Sequence, residues 1–184
     1  MKRWLRPSLN QLLVVIVLGV FLAQLGSLDN LLYPPLGPYS DLLLTHWPNA
    51  HFMRQTVLQD HVWPLWNPTQ LSGVPFAANP LSGLYYPPNW LFLVLPITPA
   101  FNLLLALHIC LGGLGMMRLV RSLLVDQAGP DRWRLDLSLR ELGALVAGLA
   151  WALAPRIWAH LGAGHVGLVY AAGWLPWVIL AAVD

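Results

Sequence analysis

Residues 40–90 read SDLLLTHWPNAHFMRQTVLQDHVWPLWNPTQLSGVPFAANPLSGLYYPPNW, and this stretch decides how the chain is organised. It holds two of the eight acidic residues and three of the six histidines, and long apolar runs flank it. Twelve of the sixteen prolines fall within residues 34–99, so this region cannot be one long helix. A loop of this length between membrane spans is usually functional or disordered, and its aromatic and apolar content argues against disorder. We therefore expect an ordered domain outside the membrane that carries the functional site.

The amino-acid composition assigns the whole chain to the membrane class. Apolar residues make up 57% of the sequence and charged residues 10%, whereas a soluble domain has about 25% charged residues. The one cysteine, Cys110, rules out an intramolecular disulfide, and no zinc-ligand spacing or nucleotide-binding glycine motif occurs. The basic residues lie at the edges of apolar runs, so we expect no nucleic-acid partner. Because an apolar run continues almost to Asp184, we expect the chain to be the front part of a larger protein.

Four runs of apolar residues predict membrane-spanning helices. They cover residues 9–28, 100–120, 141–160 and 166–183. Twenty helical residues rise about 30 Å, which is the thickness of the hydrocarbon layer. The first run could also be a cleaved signal peptide, but it is longer than the usual apolar core of a signal. The apolar core of the third run is short, and it reaches span length only if its helix continues through Pro155 or the membrane thins.

Some residues inside the predicted spans require particular groups on the helices that pack against them. The adjacent small residues Gly112 and Gly113 suit a close helix contact. Pro176 leaves a carbonyl of its own helix without a partner, which a neighbouring group must satisfy. His108 is ionisable, so it is either a functional residue or a neutral histidine bonded to a neighbouring helix.

The basic residues predict the orientation of the spans. Eight of the ten lie near the N-terminus or around the connector formed by residues 121–140, and the other two are Arg54 and Arg156. Because positive charge accumulates on the cytoplasmic side, the N-terminus and this connector are predicted to be cytoplasmic. Residues 29–99 then form a large extracytoplasmic loop in a multi-pass membrane protein.

The start of this outer loop has helical signals on both sides of a proline. Ser40 can cap a short helix that has Asp41 in its first turn. Pro48 is tolerated in the first turn of a helix but not further along it. Apolar residues then recur at helical spacing over residues 49–59. We therefore expect one short helix before Pro48 and an amphipathic helix after it.

Several short motifs follow one another along the outer loop. They are His46-Trp47-Pro48, Trp66-Asn67-Pro68, Gly73-Val74-Pro75 and Tyr86-Pro87-Pro88-Asn89. This order resembles the YfhO-type bacterial membrane proteins, which belong with the GT-C glycosyltransferases, and the resemblance covers residues 9–184. The resemblance implies an all-α polytopic membrane fold of the GT-C kind. Such a fold has more spans than this chain shows and carries short helices in a large first extracytoplasmic loop.

The resemblance also implies an activity and a location. A sugar would move from a polyprenyl-phosphate donor to an extracytoplasmic acceptor, such as a cell-wall polymer, a lipid or a protein. The protein would act in the plasma membrane of a bacterial-type cell, in contact with membrane lipid. GT-C enzymes place an acid in the first outer loop, and Asp41 matches that position, which makes it the expected catalytic base. The other interpretation is that Asp41 only stabilises the start of a helix.

Further residues could bind the substrate, and one cofactor could assist. The binding candidates are Asp60, His46, Trp66, Asn67, Asn79, Arg156 and His165. A divalent cation could stabilise the departing phosphate, although no cofactor is firmly implied. The family often has Gly-x-Leu-Pro before its Trp-Asn-Pro motif, whereas residues 60–64 read DHVWP here, which leaves the role of Asp60 open.

Each of these candidates also has a structural interpretation. Asp60 could be a solvated helix end, and His46 an ordinary loop histidine. Trp66 could sit at the membrane interface, where tryptophan is enriched. The two asparagines each precede a proline, which is a common turn position. Arg156, which lies with His160 and His165 on the predicted outer side, could hold a lipid phosphate or anchor its helix by snorkelling.

A second class of function fits the same sequence. The protein could be a non-enzymatic membrane transport or assembly subunit whose outer loop binds a partner. Binding without chemistry would tolerate Asp41→Asn, whereas catalysis by Asp41 as the base would not.

Overall fold

A computed structural model describes residues 9–24, 39–125 and 133–183, and it is all-helical over these residues. The α-helices are α1 (Leu9–Gln24), α2 (Trp47–Leu58), α3 (Leu91–Val94), α4 (Ile97–Val125), α5 (Trp133–Ala152), α6 (Pro155–Ala163) and α7 (Val166–Val183). A π-helical turn covers Leu42–His46, and 3₁₀ turns cover Pro80–Ser82 and Pro87–Trp90. An isolated backbone bridge pairs Asn67 with Val74 within the intervening loop.

Three helical stretches in the described part of the chain are long and apolar enough to cross a membrane. They are Ile97–Leu124, Leu139–Ala163 and Val166–Val183. The expected all-helical class is confirmed over the described residues, and these stretches are compatible with the expected membrane location. For the span predicted over residues 9–28, the structure describes α1, Leu9–Gln24, whose apolar part within the described residues is Leu9–Val20, so this span stays a prediction. Residues 25–28 of that prediction lie outside the described residues.

The chain divides into two compact units. The first unit consists, within the described residues, of residues 9–24, 106–159 and 168–183. The second unit consists of residues 39–105 and 160–167. Most of the predicted outer loop therefore belongs to the second unit, together with the turn between α6 and α7.

Small residues allow the helices of the first unit to pack closely. Leu13 of α1 is fully buried and lies against Gly113 of α4 and Gly148 of α5. A Cβ atom added at Gly148 would lie 2.5 Å from Met117 Cγ and 2.7 Å from the Gly113 carbonyl oxygen. The close contact predicted for the glycine pair is confirmed at both positions, since a Cβ at Gly112 would lie 2.8 Å from a tryptophan ring nitrogen.

The proline inside α7 leaves a carbonyl without its helical partner, and a side chain of a neighbouring helix donates a hydrogen bond to this carbonyl. Pro176 cannot donate a hydrogen bond to the carbonyl of Ala172, four residues earlier. The indole N–H of Trp151 donates to that carbonyl oxygen at 3.3 Å. In the same unit, the ring of the buried His108 stacks on the ring of Tyr170, with ring centroids 4.0 Å apart. His108 thus takes part in the packing of α4 against α7.

An ion pair and a hydrogen bond, both made by Arg121, connect three helices of the first unit. Arg121 of α4 makes a bidentate contact with Glu141 of α5, with the shortest distance 2.7 Å. The same guanidinium donates to the side-chain oxygen of Asn10 in α1 at 2.9 Å. Helices α4 and α5 both extend into the region predicted as a connector, residues 121–140.

The second unit begins with a helical segment that passes through Pro48 without a break. The two helices predicted on either side of this proline are present as the π-helical turn and α2. The N–H of Trp47 donates to the carbonyl of Leu42, five residues earlier. Because the π-turn shifts the hydrogen bonding by one residue here, the proline ring fits where an ordinary helix interior would exclude it.

Candidate acid–histidine site

Asp41 stands at the start of the π-helical turn, but its neighbour does the capping. The N–H of Leu43 donates to Ser40 Oγ at 3.4 Å, as the sequence predicts. The carboxylate of Asp41 makes no capping hydrogen bond, and its side chain is 59% exposed. Its negative charge still suits a helix start, but its oxygens remain available to other groups.

A second segment, distant in sequence, lies directly on this helix start. Gly164 follows α6 and has a φ of +82°, a left-handed conformation that favours glycine. A Cβ atom added there would collide with the backbone nitrogen of Leu42 and lie 3.0 Å from that of Asp41. Glycine at position 164 therefore lets the turn between α6 and α7 contact the backbone of Asp41 and Leu42.

This contact places His165 beside the carboxylate. His165 Nε2 lies 3.5 Å from Asp41 Oδ2, which is ion-pair distance but too long for a strong hydrogen bond. His165 Nδ1 lies 2.8 Å from Nδ1 of His160, at the end of α6. One of these two nitrogens must donate to the other. With an ionised Asp41, a proton on His165 Nε2 is the arrangement in which both contacts are favourable.

His46 completes the group from the end of the π-helical turn. It is partly buried, and burial has the largest effect on it, lowering its pKa below the ordinary value of 6.5. The nearby Asp41 carboxylate raises this pKa, and His165 lowers it. The ring is therefore held in its neutral form at pH 7, in which it can accept a proton.

We call these four residues, Asp41, His46, His160 and His165, the acid–histidine cluster. It combines an exposed carboxylate with three imidazole rings, whose nitrogen atoms can donate or accept hydrogen bonds. A carboxylate of this kind can accept a proton from a hydroxyl group, and the histidine pair offers that proton a route away. The geometry is therefore suited to general acid–base chemistry on a substrate reaching the surface at Asp41.

The two predicted asparagines form local turns. Asn67 is 1% exposed, and its Oδ1 accepts hydrogen bonds from the backbone N–H of Thr69 at 2.9 Å and the Thr69 hydroxyl at 2.7 Å. Asn79 Oδ1 accepts from the N–H of Leu81 at 2.9 Å and so caps the first 3₁₀ turn. The turn role of both residues is confirmed, and their contact with a sugar stays a prediction.

The other predicted binding residues lie apart from the cluster or in the other unit. Asp60 is exposed just after α2, and within the described residues no contact joins it to Asp41. Trp66 is about half exposed, and its ring covers Gly73. Arg156 is exposed in the first turn of α6 and belongs to the first unit. Of the seven binding candidates, His46 and His165 are the ones that the structure brings to Asp41.

Sequence reasoning did not select His160 or assign a role to Gly164. The spacing of His160 and His165 spans a helix end, so helical periodicity could not show that their rings meet. The sequence signal for this arrangement is a Gly-His pair directly after an amphipathic helix. In the described residues, no group of three or more His, Cys, Asp or Glu side chains has an arrangement that could hold a metal ion.

Comparisons with known protein families, with curated proteins and with solved structures found no match.

Proposed function

We propose that this protein is an integral membrane glycosyltransferase of the GT-C kind, acting in the bacterial-type cell envelope. It would transfer a sugar from a polyprenyl-phosphate donor to an extracytoplasmic acceptor. The observation that carries the proposal is the exposed carboxylate of Asp41 beside His165, within a chain that has three helical stretches long and apolar enough to cross a membrane. The proposal is also supported by the order of the outer-loop motifs, which resembles that of YfhO-type proteins.

In this mechanism, Asp41 accepts the proton of the acceptor hydroxyl as that oxygen attacks the anomeric carbon of the donor. The phosphate of the carrier leaves with the bonding electrons. His165 Nε2 faces the carboxylate of Asp41 at 3.5 Å and would orient it towards the acceptor hydroxyl. This distance would shorten when the substrate binds, because catalytic contacts commonly tighten in the substrate complex.

The test is sugar transfer in membranes that contain the protein. The variant is Asp41→Asn, and the matched control is Asp136→Asn, which alters an acid in the predicted cytoplasmic connector, residues 121–140. We expect Asp41→Asn to reduce transfer by about 100- to 10,000-fold, the usual contribution of a general base. Equal transfer by wild-type protein and Asp41→Asn, at equal membrane insertion, would exclude Asp41 as the base.

A binding function is the second candidate, and one loop supports it. Leu71 is 92% exposed at the tip of the loop closed by the Asn67–Val74 bridge, with a φ of +48°. An exposed leucine in a left-handed conformation is unusual for a solvated loop and suits contact with a partner. If the protein is a transport or assembly subunit, Leu71→Asp will abolish its function and Asp41→Asn will not.

A further inference from the structure

A cavity of about 480 Å³ lies on one side of α2 in the second unit. Its walls include Trp47, His51, Arg54 and Gln55 of α2, and residues 96–99 at the start of α4. No member of the acid–histidine cluster lines it. We call it the Arg54 cavity, and the chemistry proposed above makes no use of it.

The guanidinium group of Arg54 is held in place from one side. Its Nη1 donates to the carbonyl oxygens of Phe92 and Leu95, the latter at 2.8 Å, where α3 ends. Within the described part of the chain, no hydrogen bond engages its Nη2 or Nε. These donors can serve a ligand without a change in the position of the side chain, which lowers the entropic cost of binding.

The cavity is complementary to an anion. None of the residues that line it is acidic, and Arg54 gives it a positive charge. Gln55 and Thr98 add polar groups, and the N–H groups of Ile97 and Thr98 in the first turn of α4 have no partner within the helix. The rings of Trp47 and His51 stack at 5.9 Å and form a flat wall.

We propose that the Arg54 cavity binds a phosphate group, carried by a membrane amphiphile or free in solution. Arginine favours phosphate because its planar donors match two phosphate oxygens. The cavity lies where the membrane-spanning stretch Ile97–Leu124 begins, so a lipid headgroup can reach it while its chain follows α4. The proposal rests on the cavity and holds whether or not the protein transfers sugars.

Gln55→Glu tests the proposal without removing the bonds that Arg54 makes to α3. This change keeps the shape of an exposed side chain and places a negative charge in the cavity wall. The matched control is Gln70→Glu, the same change at a residue outside the cavity. Binding of dodecyl phosphate and of inorganic phosphate is measured by thermophoresis, with the full chain in neutral maltoside micelles.

We expect dodecyl phosphate to bind the wild-type protein and Gln70→Glu equally, and Gln55→Glu about tenfold more weakly, because like charges repel across the cavity. If inorganic phosphate shows the same pattern, the cavity accepts free phosphate; if it does not bind, the ligand is an amphiphile. Equal binding of dodecyl phosphate by all three proteins, equal weakening by both variants, or no binding at all would overturn the proposal.

Discussion

The carboxylate of Asp41 can interact with other groups because the residue before it, Ser40, caps the helix. Ser40 is buried and caps the π-helical turn through its hydroxyl and its backbone carbonyl. The carboxylate of Asp41 is therefore not needed for capping and can face His165. The sequence predicted Ser40 as the cap, and the structure adds that Asp41 makes no capping hydrogen bond of its own.

His46 gives the stability of the protein a pH dependence with a definite sign. Its folded-state pKa lies below the ordinary 6.5, so between the two values the unfolded chain binds more protons than the folded protein. The contribution of His46 to stability is complete above pH 6.5 and is lost as the pH falls towards the lowered pKa.

We therefore expect His46→Gln to flatten the fall in thermal midpoint as the pH is lowered below 6.5, as measured by scanning fluorimetry in detergent. The control is His51→Gln, the same change at an exposed histidine of α2 that is not part of the acid–histidine cluster. A slope that is unchanged in His46→Gln would contradict the assigned burial of this ring.

At the scale of elements, two irregular features create the cluster. The π-helical turn carries Asp41 at its start and His46 at its end. The turn between α6 and α7 brings His160 and His165 to the same place. Hydrophobic periodicity predicts the helices themselves, because apolar faces recur every 3.6 residues. It contains no information on which turns touch, so the meeting of these two segments could not be predicted.

Gly164→Ala should separate the two segments. An alanine there has both a strained left-handed backbone and a Cβ atom in collision with the Leu42 backbone. We expect a loss of about 1–3 kcal/mol in the free energy of unfolding, measured by denaturant titration.

The matched control for this change is Gly167→Ala in the first turn of α7. A Cβ atom at Gly167 meets nothing within 4 Å, and alanine favours a helix by up to about 1 kcal/mol over glycine. Gly167→Ala should therefore be neutral or stabilising. If both variants lose the same stability, the close approach at Gly164 is not what holds the turn.

At the scale of the whole molecule, amino-acid composition and charge were sufficient to predict the class of protein. The low charged fraction and the apolar runs predict a helical membrane protein, and the structure has three helical stretches long and apolar enough to cross a membrane. The need for a hydrogen-bond donor near Pro176 could also be predicted, because a proline inside a helix leaves the carbonyl four residues earlier without its usual partner. The identity of this donor, Trp151, could not be predicted, because it depends on how α5 and α7 pack.

The predicted orientation can be tested by cysteine labelling in a Cys110→Ser background. We expect Asp60→Cys to react with a membrane-impermeant maleimide in intact cells, because the positive-inside rule puts its loop outside. Leu124→Cys, near the C-terminal end of α4 on the predicted cytoplasmic side, should react only after the cells are disrupted. The reverse pattern would show that the cluster faces the cytoplasm, where an extracytoplasmic acceptor could not reach it.

The central claim is that Asp41, His46 and His165 form one cluster from distant parts of the chain. The most direct measurement is an NMR titration of ring-labelled histidines in the wild-type protein and in Asp41→Asn, with His46 assigned from His46→Gln. We predict that His46 titrates below pH 6.5 in the wild-type protein and at still lower pH in Asp41→Asn, because the carboxylate raises its pKa. A titration of His46 that does not respond to Asp41→Asn would contradict the cluster.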